Sequence, residues 1–343
     1  TGTAYMGTDL GFLGTKGLMV VTAGTPPSVA EFRGVTGKVL TVSPDGKKVI
    51  LSDTLSTPNE VFVFDTTSKT SIPLPIAGAT AADFSPDSLK AYILAGSTLY
   101  VYSTLEALKT IPLGAPATEV SFLPEGGFAY VAGGAASSIT AWKTCTDTQE
   151  AGQTVATPTT PVFIKALSKS LTVGGTNFDG SVLAVDSPGI DLFGANTSVP
   201  VPATGSCPLD LTNSTLNITT SSPAFFNLGQ GSFVPRQLVV SQDGTRAYIL
   251  ASNIGSVMVF NVINQTSSAI PLAGDAIPIQ ASLTADGTRL YVAAADGEVH
   301  VLDTQTASDI LQISFPADVT NLQAGFCVGT TFICTADLIA VKP

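Results

Sequence analysis

Charge is what this chain has least of. Only 12% of its 343 residues are Asp, Glu, Lys or Arg, against roughly 25% in an average soluble protein. Good helix formers such as Glu, Lys, Gln and Arg are therefore scarce, which disfavours long helices. The fifteen Lys and Arg residues are scattered singly. A phosphate backbone needs them clustered, so nucleic-acid binding is not expected, nor is adhesion to anionic lipid. There is one histidine, His300, which excludes the His-rich sites of copper and iron enzymes. No Gly-x-Ser-x-Gly elbow presents a serine nucleophile. No apolar run approaches the 18 or so residues of a membrane helix, so no membrane insertion is expected. No spacing resembles a metal or phosphate loop: Gly133-Gly134 and Gly174-Gly175 lack the strand-to-helix context. No cofactor, metal or catalytic residue is assigned.

In place of charge the chain has Gly, Pro, Ser and Thr, with 44% hydrophobic residues. That composition suits many short strands joined by tight turns. The net charge of −11 reads as solubility. The first residue is Thr1, with no charged segment leading into an apolar one. The expectation is either removal of a signal segment, and hence export, or an excised piece.

One pattern recurs along the chain. Val39 to Val42 leads through Ser43-Pro44-Asp45-Gly46 into Lys48 to Leu51, then Val61 to Asp65, then Ile72-Pro73-Leu74. Further copies start at Ala82-Asp83-Phe84-Ser85-Pro86-Asp87, at Val120-Ser121-Phe122-Leu123-Pro124-Glu125-Gly126, at Leu238 with Ser241-Gln242-Asp243-Gly244, and at Ala281 with Thr284-Ala285-Asp286-Gly287. Period-2 alternation of β-branched and aromatic residues marks half-buried strands. Asp-Gly supplies the positive φ of a tight hairpin, and Asp65-Thr66 and Asp303-Thr304 can bond nearby backbone. The turn position falls at residues 46, 88, 126, 180, 244, 287 and 329. Most intervals match the roughly 40–45 residues of a four-stranded propeller blade. The fold class expected is all-β: a β-propeller of seven four-stranded antiparallel blades, with eight as the alternative, forming a single domain over 1–343. The repeat is degraded and carries insertions over 144–236.

These motifs resemble the YVTN-type β-propeller repeat, over residues 38–143 and 236–315 and more weakly over 161–200. The resemblance implies seven blades and an exported or surface-exposed protein. It specifies architecture far better than function.

A ring must join its first and last blades. C-terminal strands are expected over 321–326, 331–334 and 338–341, with Ser28 to Phe32 as the fourth. The strands at Ala4 to Gly7 and Leu18 to Val21 then exceed what one ring needs. Residues 1–37 are read as closing the ring, capping it, adding an eighth blade, or pairing with a neighbouring molecule.

Four cysteines, Cys145, Cys207, Cys327 and Cys334, show no zinc spacing. Two disulfides are expected, Cys327 with Cys334 across a hairpin and Cys145 with Cys207, and an oxidising compartment with them. Four glycosylation sequons occur, at Asn196, Asn213, Asn217 and Asn264. His300 is expected to be structural or solvent-facing. Asp45, Asp179, Asp243, Asp286 and Asp296, each before glycine, are read as turn residues. Arg246 and Arg289 follow turns at equivalent positions.

The function expected is a non-catalytic extracellular or cell-surface scaffold, adhesive, surface-layer or filament-forming protein. It would act through contacts with itself or other surface proteins. The alternatives are a glycan or small-ligand binding module, or a lactonase-like hydrolase.

Overall fold

A computed structural model describes residues 3–6, 17–22, 28–53, 60–135, 137–173, 176–186, 189–197, 216–218, 224–227, 233–284, 286–314, 327–328 and 333–334. Among the described residues the regular structure is all strand, apart from one three-residue 3-10 turn at Ala273–Asp275. The chain divides into two compact units, one of Thr1–Lys38 with Leu228–Pro343, the other of Val39–Asn227.

The N-terminal strands β1 (Thr3–Met6), β2 (Gly17–Thr22) and β3 (Ser28–Arg33) pair with one another in that order, antiparallel. Next comes a four-stranded sheet of β4 (Lys38–Val42), β5 (Lys48–Ser52), β6 (Val61–Asp65) and β7 (Thr70–Leu74). A second holds β8 (Ala81–Phe84), β9 (Lys90–Ala95), β10 (Thr98–Ser103) and β11 (Lys109–Pro112). The third holds β12 (Ala117–Phe122), β13 (Phe128–Gly133), β14 (Ser138–Lys143) and β15 (Thr148–Ala156). The fourth begins with β16 (Phe163–Leu167), is interrupted by the small hairpin β17 (Leu171–Val173) and β18 (Thr176–Phe178), and resumes with β19 (Gly180–Val185) and β20 (Gly189–Thr197). Its outer row is shared by β21 (Leu216–Ile218) and β22 (Ala224–Asn227), both paired with β20.

In the other unit, β23 (Pro235–Val240), β24 (Arg246–Ala251), β25 (Ser256–Asn261) and β26 (Thr266–Pro271) form a fifth sheet. A sixth comprises β27 (Pro278–Leu283), β28 (Arg289–Ala294), β29 (Glu298–Asp303) and β30 (Ser308–Ser314). A last pair, β31 (Cys327–Val328) and β32 (Ile333–Cys334), is described on its own. The described residues thus hold six meandering antiparallel sheets of four or five strands, the propeller-like, all-β architecture expected from the repeat.

In four of the six sheets the turn between the first two strands is built by side chains. Ser43 Oγ donates to Asp45 Oδ1 at 2.7 Å and accepts from the Lys48 amide at 2.9 Å, while the Lys47 amide donates to Asp45 Oδ1. The same three bonds recur at Ser85 and Asp87, Ser241 and Asp243, and Thr284 and Asp286. The next position must be left-handed, with φ of 69° at Gly46, 66° at Gly244 and 69° at Gly287; Ser88 takes the same conformation at 64°. After the third strand, the hydroxyls of Thr66, Thr144 and Thr304 donate back to the carbonyls of Gly46, Gly126 and Gly287.

The fourth sheet departs from the expected register. Gly180 opens β19 opposite Ala195 and is not left-handed. Asp179 before it therefore does not sit in the repeat's tight turn; the β17–β18 hairpin fills that connection instead.

The core lies between neighbouring sheets. Leu99 packs with Ala117, Val120 and Val131 of the following sheet, and Ile139 with Ile164, Ala166 and Val182. Tyr92, Tyr130 and Tyr248, at one repeat position, are among the largest fully buried side chains.

Candidate functional site

Two buried polar constellations stand out because they occupy rows that other sheets fill differently. The first centres on His300. It pairs with Val292 across β28 and β29. The equivalent positions, read from the same pairing register, are Phe62, Tyr100, Thr140, Leu192 and Met258. Period-2 alternation places Glu298 and His300 on one face of β29. Asp296 lies in the preceding turn, where Gly297 takes φ 88° and the Glu298 amide donates to Asp296 Oδ1 at 3.0 Å. Its other oxygen, Oδ2, lies 3.0 Å from His300 Nε2. Asp309 reaches from β30 to His300 Nδ1 at 2.6 Å and also accepts from the Ala273 amide at 2.9 Å.

The His300 side chain is fully buried, Asp309 is 6% exposed and Asp296 35% exposed. His300 is therefore not solvent-facing. Burial pulls the imidazole pKa down, but the bonds it donates to Asp309 and Asp296, with their negative charges, outweigh burial and hold the group above its usual 6.5.

The second constellation is Asp191 with Asp186. Asp191 lies in β20 opposite Ala184. Its counterparts at the same paired position are Val61, Leu99, Ile139, Val257 and Val299, all buried aliphatics. Asp191 is fully buried, and neither carboxyl oxygen has a hydrogen-bond partner. Burial first, then the nearby Asp186 charge, pushes its pKa up to about 7. Asp186 is itself held by the Thr159 amide and hydroxyl and by the Gly189 amide.

The residues singled out in the sequence are distributed as follows. Asp45, Asp243 and Asp286 do sit in the hairpin turns, and Asp296 in the β28–β29 turn. Arg246 donates to the Thr304 carbonyl at 2.6 Å, and Arg289 pairs with Asp303 at 2.7 Å. The described residues include no free cysteine, and Cys327 stands directly opposite Cys334 in the β31–β32 pair. Asn264 is exposed in the turn after β25, and Asn196 in β20 pairs in register with Asn217 in β21. Cys207 and Asn213 lie outside the described residues. Sequence reading missed Asp186, Asp191 and Asp309; aligning the repeats by strand position, rather than by turn, would have exposed Asp191 as an acid in an aliphatic row.

A cavity of about 430 Å³ opens beside the turns of the fifth and sixth sheets, lined by Asp243, Arg246, Tyr248, Asp286, Thr288 and Thr304 among others. Most of its polar groups are engaged internally. Thr245 and Thr288 bond Asp243 and Asp286 through both carboxylate oxygens.

No family model matches this chain, and no curated protein matches it. Among solved structures it is similar to a functionally unknown protein from Desulfotomaculum acetoxidans, with TM-score 0.57 and 16% identity over 91% of this chain and 94% of that one. It is also similar to hydrazine synthase of Kuenenia stuttgartiensis, with TM-score 0.51 and 16% identity over 77% of this chain and 75% of that one. At such identities the likeness is one of fold, and both support the propeller-like assignment.

Proposed function

We propose that this chain is a YVTN-type propeller of seven blades that serves as a non-catalytic scaffold at the cell surface and acts by associating with copies of itself or with other surface proteins. The observation that carries this reading is the outer strand of the sixth sheet. On β30, Ile310, Leu311 and Ile313 are 49, 51 and 44% exposed. A bulge in the β29–β30 register brings Ile310 and Leu311 out side by side. The outer strand of the fifth sheet, β26, shows solvent Thr266, Ser267, Ser268 and Ala269 instead. Unprotected apolar edge strands invite pairing with another chain.

The turn chemistry supports the same reading. The repeat's carboxylates and hydroxyls bond one another, so the blades spend their polar groups on their own architecture. A surface setting is in keeping with the exposed Asn264 sequon and would suit the expected pairings of Cys327 with Cys334 and Cys145 with Cys207. Residues 1–37 close the ring or pair with a neighbour.

Sedimentation velocity on the full chain over a wide concentration range tests the proposal. Concentration-dependent larger species are expected, and Leu311→Lys with Ile313→Lys should abolish them while the strand spectrum persists. A wild-type protein that stays monomeric throughout would overturn it.

A further inference from the structure

We infer that Asp296, Glu298 and His300 form a binding site for a first-row divalent cation, Zn²⁺ foremost, with Asp309 orienting the imidazole. One ligand atom from each of the three lies within 4.8 Å of the others. Two ligands bound tetrahedrally to zinc at about 2.0–2.2 Å stand roughly 3.3–3.6 Å apart. His300 Nε2 and Asp296 Oδ2, at 3.0 Å, are already near that separation. Only the Glu298 side chain, partly buried on the same strand face, has to close in.

The ring's two nitrogens are placed for the same assignment. Asp309 accepts from Nδ1 at 2.6 Å, so a cation at Nε2 would take the place of the proton that Nε2 shares with Asp296. Two acceptors at 3.0 Å need a cation or a proton between them. A carboxylate behind a ligating histidine is a recurrent partner that orients the ring and raises its basicity.

Two observations independent of that geometry point to a bound cation. Asp309 is 6% exposed, yet its Oδ1 has no hydrogen-bond partner. Among the described residues no Lys or Arg pairs with Asp296 or Asp309. A buried carboxylate such as Asp309 is costly unless its charge is compensated. The repeat adds a third argument, since none of the five residues equivalent to His300 is a nitrogen or carboxylate donor. Among the described sheets, only the sixth places an imidazole at this position.

One imidazole with two carboxylates suits zinc or manganese and leaves a coordination position for water. Held there, the ion ties the β28–β29 turn to β29. Through Asp309 it also steadies β30 beside the bulge that presents Ile310 and Leu311. The site belongs to the sixth sheet alone and stands whether or not the chain self-associates.

The test is calorimetric titration of ZnCl₂ into chelator-stripped full-length protein, with circular dichroism to check each variant's fold. Wild type should show one saturable site. Glu298→Gln leaves the His300–Asp309 bond intact and should weaken binding about tenfold or more, in the range found for perturbed metal sites; Asp296→Asn should do the same, and His300→Gln should abolish binding. Absence of saturable binding to wild type overturns the inference, and so does unchanged affinity in both Glu298→Gln and Asp296→Asn, which would leave the cluster as an ion-pair clamp only.

Discussion

Lys90 Nζ lies 2.8 Å from Asp147 Oδ1, joining the start of the second sheet's second strand to the turn that precedes the third sheet's outer strand. The same ammonium donates to the Thr144 carbonyl at 2.6 Å, and Tyr92 donates to Asp147 at 2.9 Å. In the other unit Arg246, at the equivalent strand position, donates to the Thr304 carbonyl, the equivalent of Thr144. A basic residue opening the second strand thus laces one sheet to the next in both units. Asp147 and Lys90 side chains are 6 and 14% exposed, so removing the acid strands a buried cation. Asp147→Ala should cost about 3 kcal/mol in urea unfolding. Lys109 also reaches Asp147, at 3.4 Å, but is 47% exposed; Lys109→Ala should cost less than about 1 kcal/mol.

Asp191 should make stability fall as pH rises. Its folded pKa, about 7, lies above the ordinary 3.8, so the folded state binds more protons than the unfolded state between those values. Stability is then lost progressively from about pH 4 to pH 7, by an amount on the order of 4 kcal/mol at most. Replacing Asp191 with the aliphatic residue its row calls for, as Asp191→Leu, should remove that slope and stabilise the protein at pH 8 by about 1–4 kcal/mol. Chemical denaturation of both proteins from pH 4 to 8 checks this; parallel pH profiles would refute it.

The hydroxyl of Ser43 both donates to Asp45 and accepts from the Lys48 amide, in a residue that is buried. Ser43→Ala leaves the amide unsatisfied and should cost about 1–2 kcal/mol. Ser43→Thr keeps the hydroxyl, as Thr284 does at the equivalent turn, and should restore most of it. The urea midpoints of the three proteins decide.

Peptide mapping of unreduced protein should recover Cys327 linked to Cys334 and Cys145 linked to Cys207. Cys327 and Cys334 are in register across β31 and β32, the cross-strand placement that such a bond needs. Four alkylatable thiols would refute both pairings.

The turns were legible in the sequence because their chemistry is local. Ser43 and Asp45 are two residues apart, and the Asp-Gly that follows has a single structural solution. The constellations were not, because strand pairing brings together residues whose spacing carries no motif. Asp309 meets His300 only through a β29–β30 register shifted by a bulge, and Asp191 is conspicuous only beside Val61, Leu99 and Ile139. Gly180 misled for the reverse reason. It follows an Asp, as turn glycines do, but the inserted β17–β18 hairpin takes over the connection and leaves Gly180 as an ordinary strand residue.

The single tryptophan has a practical consequence. Trp142 lies in β14, 5% exposed, with its indole N–H donating to Thr140 Oγ1 at 3.0 Å. Its emission therefore reports on the unit of residues 39–227 alone, whereas far-ultraviolet ellipticity sums strands from both. Comparing the two signals through one denaturation curve is a label-free test of cooperativity. Superimposable transitions mean that the units melt as one, and separated midpoints resolve the order in which they come apart.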